Sequence, residues 1–356
     1  VIPIAKPLIG DEEINAVTEA MRSGQLAQGK AVAGFEDAFA KYVGAKHAVA
    51  CTSGTTAIHL ALMAAGIGPG DEVITSPFSF IASATPILFT GAKPVFVDIE
   101  PDTFNISVDE IRSAVTDRTR AIIPVHLYGL PADMDPITEM ASDRGITVVE
   151  DACQAHGATY NGVKTGALGD MGCFSFYPTK NMTCGEGGMV TTNSDELDAS
   201  LRLLRSHGQK TRYEHVSVGY NFRMTDMAAS IGQNQLRKLD GFNAKRMANA
   251  ELLTEGLNGI VKTPTVPDGR THVFHQYTVL ADRRDQLVNH LSERGIGTGI
   301  YYPVPIHRQP IFQDGSWRAT PMVDDRVKRC VSLPVHPALS DEDIQTVTGA
   351  IKEFYS

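Results

Sequence analysis

The stretch Gly172-Cys-Phe-Ser-Phe-Tyr-Pro-Thr-Lys180-Asn-Met-Thr-Cys-Gly-Glu-Gly-Gly188 sets one lysine between an aromatic, proline-containing approach and a glycine-rich exit. Phe174, Phe176 and Tyr177 can wall off a pocket, and Pro178 restricts the backbone just before the lysine. Gly185, Gly187 and Gly188 let the chain pass close to a bound group. A lysine held in such a desolvated place loses its preference for the charged form and becomes a usable amine nucleophile. Most lysines are solvated surface groups instead, so the assignment needs a chemical partner elsewhere in the chain.

The run Ile146-Thr-Val-Val-Glu-Asp151-Ala-Cys-Gln-Ala-His-Gly157 supplies one. Its β-branched residues read as a buried parallel strand with Asp151 at the carboxyl end, the edge where ligands of open α/β sheets collect. Capping of the following helix is the ordinary role for an acid in that place. Beside a sequestered lysine, another role fits better. Pyridoxal phosphate needs a lysine for its aldehyde and a carboxylate for its ring nitrogen. A third stretch, Val49-Ala-Cys-Thr-Ser53-Gly54-Thr55-Thr56-Ala57, puts small and hydroxyl residues at the start of a helix. Free N–H groups and the helix dipole favour a phosphate there, although an ordinary Ser/Thr cap has the same look.

The three stretches together resemble those of the DegT/StrS sugar aminotransferases, within the fold-type I pyridoxal-phosphate enzymes. Further segments carry the resemblance along essentially the whole chain: Gly70-Asp-Glu-Val-Ile, Ser76-Pro-Phe-Ser-Phe80, Pro124-Val-His-Leu-Tyr128-Gly129, Gly219-Tyr-Asn221-Phe-Arg223-Met-Thr-Asp226, Tyr302-Pro-Val-Pro-Ile-His307 and Ser332-Leu-Pro-Val-His336-Pro337. The resemblance implies that Lys180 carries the cofactor and then serves as general acid and base for the proton shift. It implies Asp151 at the pyridine nitrogen, Gln154 near the ring hydroxyl, Phe80 stacked on the ring, and Gly54, Thr55 and Ser175 on the phosphate. Asn221 matches an asparagine that relatives reach across from a partner subunit, so a homodimer with shared sites is implied. Arg223, Tyr301 and His307 map to the substrate side. His126 and Tyr128 read as packing around the cofactor. Many relatives have Trp and Thr where this chain has Gln25 and Ala27, and His where it has Tyr301. These departures lie toward the substrate and leave the sugar and the aminated carbon open.

The implied activity is transfer of an amino group, with glutamate as the usual donor, to the 3- or 4-keto group of a nucleotide-linked sugar. Amination of a cyclitol ketone is the nearest enzymatic alternative, and a non-catalytic ligand-sensing member of the family is the alternative of another class. A dehydrating branch replaces the lysine with histidine, and Lys180 argues against it.

These residues must be positioned by an α/β fold. Asp11–Ser23 and residues 31–43 read as helices; residues 72–75, 94–98, 120–125, 146–150 and 189–192 read as strands, with helical stretches between. The alternation predicts a large lobe with a mostly parallel sheet, seven-stranded in the resembling family, covered on both faces. A long helix is expected from Thr225 past Lys245, with the cofactor domain at 1–240 and a smaller C-terminal α+β domain at 241–356. In that second domain residues 274–280 and 299–302 read as strands, and residues 282–294 and 340–354 as helices.

Composition agrees. A chain of 356 residues with net charge −9 can bury a large core, and its charge argues against nucleic acid or a membrane surface as default partner. No run of 18 uncharged apolar residues and no signal-peptide pattern occurs, which makes a cytoplasmic protein the expectation. The five cysteines are scattered, odd in number and without a CxxC pair, the pattern of reduced thiols instead of a disulfide frame or zinc site. His272 and His275, three residues apart in a strand entry, read as structural instead of metal ligands.

Overall fold

The computed structural model describes residues 1–313 and 315–356. Its centre is a seven-stranded sheet built from β1 (His47–Cys51), β2 (Glu72–Thr75), β3 (Lys93–Phe96), β4 (Thr119–Ile123), β5 (Thr147–Asp151), β6 (Met171–Ser175) and β7 (Gly188–Thr192). The spatial order is β1-β7-β6-β5-β4-β2-β3. β7 runs antiparallel to both neighbours, and every other pairing is parallel. This is the mostly parallel α/β sheet expected from the alternating pattern.

Alternation along the strands divides the core. Val49, Cys51, Val149, Cys173 and Val190 face a cluster with Ile58, Leu60 and Leu62. Those three belong to the helix Gly54–Ala64. Ala48, Ala50, Phe174 and Met189 face the other way, against Phe35, Phe39, Leu236 and Leu239. With helices on both faces the strand interiors are buried and mainly apolar, which is why they read as nearly continuous runs.

The helix Asp11–Ser23 starts where Glu13 Oε2 accepts the N–H of Gly10 at 2.8 Å, and it stops at Gly24, whose φ of 73° is left-handed. The second helix is Lys30–Val43. The long helix Asp226–Leu257 begins with Thr225 Oγ1 accepting from the amide of Ala228. Its first half contributes Leu236 and Leu239 to the sheet core. Its second half contributes Ala250, Leu253 and Leu257 to a separate core with Tyr277, Val279, Val331 and Ile351. That core surrounds β8 (Tyr277–Leu280) and β9 (Cys330–Leu333), which pair antiparallel.

Two expectations need correction. Residues 299–302 are not a strand: Gly299 bridges Ser332, and the chain then leaves the ladder, because Tyr301 O is drawn to the hydroxyl of Tyr128. The strand expected from residue 274 begins only at Tyr277. Phe274 has a left-handed φ of 43°, and its N–H donates to His272 Nδ1 at 2.9 Å, a geometry incompatible with extended pairing.

β6 and β7 form a hairpin whose connection carries Lys180. Phe176 N donates to Gly187 O, and Cys184 N to Phe176 O, each at 2.9 Å. Gly188, opposite Ser175 in the ladder, must be glycine: a Cβ there would stand 2.1 Å from Ser53 O. The close approach joins the lysine loop to the helix start at Gly54.

Candidate active site

A cavity of about 560 Å³ opens at the carboxyl ends of the strands. Of the expected residues, Gly54, Thr55, Phe80, Tyr128, Asp151, Gln154, Ser175, Lys180 and Tyr301 line it. They come from separate elements: the amino end of the helix Gly54–Ala64, the ends of β5 and β6, and loops.

Asp151 ends β5 and is buried. Ser83 Oγ donates to its Oδ2 at 2.7 Å, and the amide of Cys153 donates to its Oδ1 at 3.2 Å. Ser79 Oγ lies 2.8 Å from Ser83 Oγ and extends the chain of hydroxyls. The neighbouring Glu150 points to the other face of the sheet and is saturated. Its carboxylate accepts from the amides of Gly166, Leu168 and Gly169 at 2.7–2.8 Å and from His126 Nε2 at 2.9 Å. His126 Nδ1 accepts the amide of Ala132, so its proton lies on Nε2. Two consecutive acids thus have different tasks, one structural and one presented to the cavity.

Lys180 is half-buried, and burial of its amine lowers the pKa below the ordinary lysine value; Cys153 and then Asp151 oppose that shift. Its position is set by a bond from its own amide to Tyr177 O and by Asn181, whose side chain donates to Asn243 Oδ1 and Val273 O. Gln154 Oε1 accepts the amide of Tyr128 at 2.8 Å, and its Nε2 donates to the Tyr302 hydroxyl at 3.3 Å. Phe80 stands at the mouth, its ring centre 6.0 Å from that of Tyr302. Burial raises the pKa of Tyr301 and keeps it a neutral phenol.

At the helix start, Ser53 Oγ accepts the amide of Thr56 at 3.2 Å. The amides of Gly54 and Thr55 have no intrahelical acceptor. A Cβ on Gly54 would lie 2.7 Å from Ser175 Cβ and 2.9 Å from Cys153 Sγ. This tight cradle, with a deprotonatable amine, a held carboxylate and free amides, fits an aldehyde-bearing pyridine phosphate.

Four expected residues are not at this cavity within one chain. His126 is engaged by Glu150 and the amide of Ala132 instead. Asn221 is exposed and bridges Ser206. Arg223 is half-buried outside the lining. His307 is buried, 6.0 Å from the Phe96 ring centre, with Nε2 3.5 Å from Thr320 Oγ1; packing under the loop after β3 takes it away from the lysine. Conversely, Ser53, Ser83, Cys153, Glu186, His275 and Gln276 line the cavity without having been singled out for it. Cys153 sits two residues after Asp151 and could have been found by that spacing. Ser83 had no local signal. His272 and His275 do not act as a pair: His272 stacks on Phe274 at 3.9 Å, while His275 reaches the cavity.

Fold and site define an α/β enzyme with a lysine and a carboxylate arranged for pyridoxal phosphate. The chain belongs to the DegT/DnrJ/EryC1/StrS aminotransferase family, whose pattern matches residues 7–352. Pyridoxal phosphate is the cofactor of this family and of this enzyme. The chain is 46% identical to a pleiotropic regulatory protein of Geobacillus stearothermophilus, over 97% of this chain and 94% of that one. It is 41% identical to a UDP-N-acetyl-3-dehydro-alpha-D-glucosamine 3-aminotransferase of Acidithiobacillus ferrooxidans, over 96% and 93%. The solved structure of DesV from S. venezuelae superposes with a TM-score of 0.95 at 39% identity, covering 97% of this chain and 95% of that one.

Proposed function

We propose that this enzyme transfers an amino group from glutamate to the 3- or 4-keto group of a nucleotide-linked sugar. The convergence of Lys180, Asp151 and the amino end of the helix at Gly54 in one cavity carries this reading. The 3-aminotransferase named above supports a nucleotide sugar as acceptor. Pyridoxal phosphate, when bound, supplies an electrophilic carbon and an electron sink. Asp151, held by Ser83 and the amide of Cys153, would pair with the ring nitrogen. Lys180 would hold the cofactor through its amine and would serve as the general acid and base. The amides of Gly54 and Thr55 and the Ser175 hydroxyl would hold the phosphate. Phe80 would cover the ring, and Gln154 would serve its hydroxyl.

We further assign the protein to the cytoplasm and to a two-fold homodimer of two-lobed chains (1–240 and 241–356), in which Asn221 reaches the partner's phosphate site. Its exposure and distance from its own cavity support that role. Refolding Lys180→Ala together with Asn221→Asp tests it. A mixed dimer has one site with both lesions and one with neither, so about a quarter of parental activity returns; no recovery means each site is built from one chain.

The regulatory relative keeps a second reading open, a ligand sensor without turnover. Retention of both Lys180 and Asp151 favours the enzyme. Offering a panel of nucleotide amino-sugars to the cofactor-loaded protein separates the two. A spectral change with one of them, reversed by the keto-sugar, is the expected result; binding without any such change establishes the sensor.

A further inference from the structure

His275 and Gln276 are each 7% exposed, and both line the cavity beside Lys180. His275 Nδ1 is buried with no hydrogen-bond partner, which leaves Nε2 as the ring atom that reaches the cavity. Among the described residues nothing bonds the Gln276 carboxamide; only its backbone N–H is engaged, donating to Tyr128 O at 3.2 Å. Buried polar side chains normally have partners. Two adjacent ones without any, both turned to one cavity, point to a ligand.

The segment that holds them is built to aim them. Phe274 is left-handed and tied to His272. Asn181, next to the lysine, donates to Val273 O at 2.9 Å. Gly129 lets the segment approach, since a Cβ there would stand 3.0 Å from His275 N.

The lining carries the carboxylates Asp151 and Glu186 as well as Lys180, so the field at His275 depends on what stands behind it. Among the described residues Lys180 is the only Lys or Arg in the cavity lining. Behind His275 lies Arg246 of the long helix, buried, donating to the carbonyls of Phe274 and His275 at 3.1 and 3.4 Å. Its Nε has no partner, and no described carboxylate pairs with it. Burial lowers its pKa only to about 10, so it remains a cation at neutral pH. A buried cation without a counter-ion is costly, and an anion arriving in front of it is correspondingly favoured.

We propose that His275 and Gln276 form the subsite for the carboxylate of the amino-acid donor, which deepens the aminotransferase reading and rests on it. The donor's α-carboxylate is attached to the carbon that bears the amine, so it must enter as deep as Lys180. Imidazole Nε2–H and carboxamide N–H₂ are two adjacent donors of the lining that no described protein group engages, and Arg246 supplies the field from behind. Neutral donors suit a cavity that alternates between substrates. A guanidinium in the lining would be stranded whenever a neutral sugar ring replaced the amino acid. An imidazole and a carboxamide bond a sugar hydroxyl instead.

The test uses the cofactor-loaded protein in separate half-reactions, together with calorimetric titration by glutarate, a dicarboxylate that lacks the reacting amine. Gln276→Leu and His275→Leu are expected to weaken glutarate and raise the glutamate KM by about 10- to 100-fold, the range for losing a hydrogen bond to a charged group. Gln276→Glu, which repels a carboxylate, has a larger effect. In each variant the ratio of half-reaction efficiencies shifts at least about tenfold toward the sugar. If His275→Leu fails to fold, the two Gln276 variants decide. Folded variants that keep the parental glutarate affinity, or that lose both half-reactions equally, overturn the subsite. A parent protein that turns over neither substrate overturns the aminotransferase reading instead, and its glutarate titration still reports on the carboxylate subsite.

Discussion

Asp151 and His275 line the same cavity under opposite conditions. Asp151 ends a central strand, and both of its oxygens are engaged, by Ser83 and by the amide of Cys153. His275 follows the left-handed Phe274, and its cavity-facing Nε2 has no partner among the described residues. The difference suits the roles proposed for each wall. A cofactor that stays through both half-reactions would be matched by a carboxylate locked in place by the protein. Substrates that exchange would be matched by groups whose hydrogen-bonding capacity is free.

Removing the lysine tests the sheet wall hardest. Lys180→Ala is expected to abolish steady-state transamination while circular dichroism and the melting profile stay close to the parent; near-normal turnover would remove Lys180 from the chemistry. Asp151→Asn keeps the shape but loses the anion and one of the two acceptor atoms that Ser83 and the amide of Cys153 engage. The expected loss in turnover is about 100-fold or more, a barrier rise of about 3 kcal/mol. A rate within threefold of the parent would show that the wall's carboxylate is not the ring partner.

Three buried histidines carry a signature in acid: His275 lines the cavity, His272 stacks on Phe274, and His156 packs on Phe174 and Phe176. Burial pushes His156 and His272 down to about 3 and lowers His275 well below the ordinary histidine value. Below about pH 6.5 the unfolded chain binds protons that these folded imidazoles refuse. Stability is therefore fully present above that pH and declines as pH falls toward 3, by about 1.4 kcal/mol per pH unit for each histidine. Urea unfolding at pH 7.0 and 5.5 measures it. His272→Phe lowers the level at both pH values and flattens the decline by about 1 kcal/mol. An unchanged decline would mean that His272 titrates normally in the folded protein.

The smallest effect is expected at Tyr301, which lies on the cavity and offers a neutral hydroxyl. Tyr301→Phe should raise the sugar KM or lower kcat of the sugar half-reaction by several-fold, the size of one neutral hydrogen bond, and leave the glutamate half-reaction nearly unchanged. Equal losses in both halves would assign Tyr301 to the cofactor.

Much of the scaffold was readable from the chain. Asp11–Ser23 and Glu72–Thr75 have the boundaries their periodicity and caps predict. The helix Asp226–Leu257 starts where Thr225 can cap it. Residues 299–302 depart from a strand because Tyr301 and Tyr302 line the cavity instead of joining a ladder. Lys180, Asp151 and Gly54 were legible as cavity residues because each sits in a local motif: a glycine-rich loop, the end of an apolar run, the start of a helix.

The chain by itself thus determined the elements and the cofactor chemistry, since these depend on residues a few positions apart. Tertiary structure decided which distant groups meet. Ser83 is brought to Asp151 because two loops share the carboxyl edge of one sheet. His275 and Gln276 reach Lys180 because Asn181 bonds Val273 and Gly129 admits the backbone. His307, in an equally suggestive motif, is withdrawn by packing against Phe96. Such meetings are set by how the two cores pack along one helix, and no local spacing encodes that.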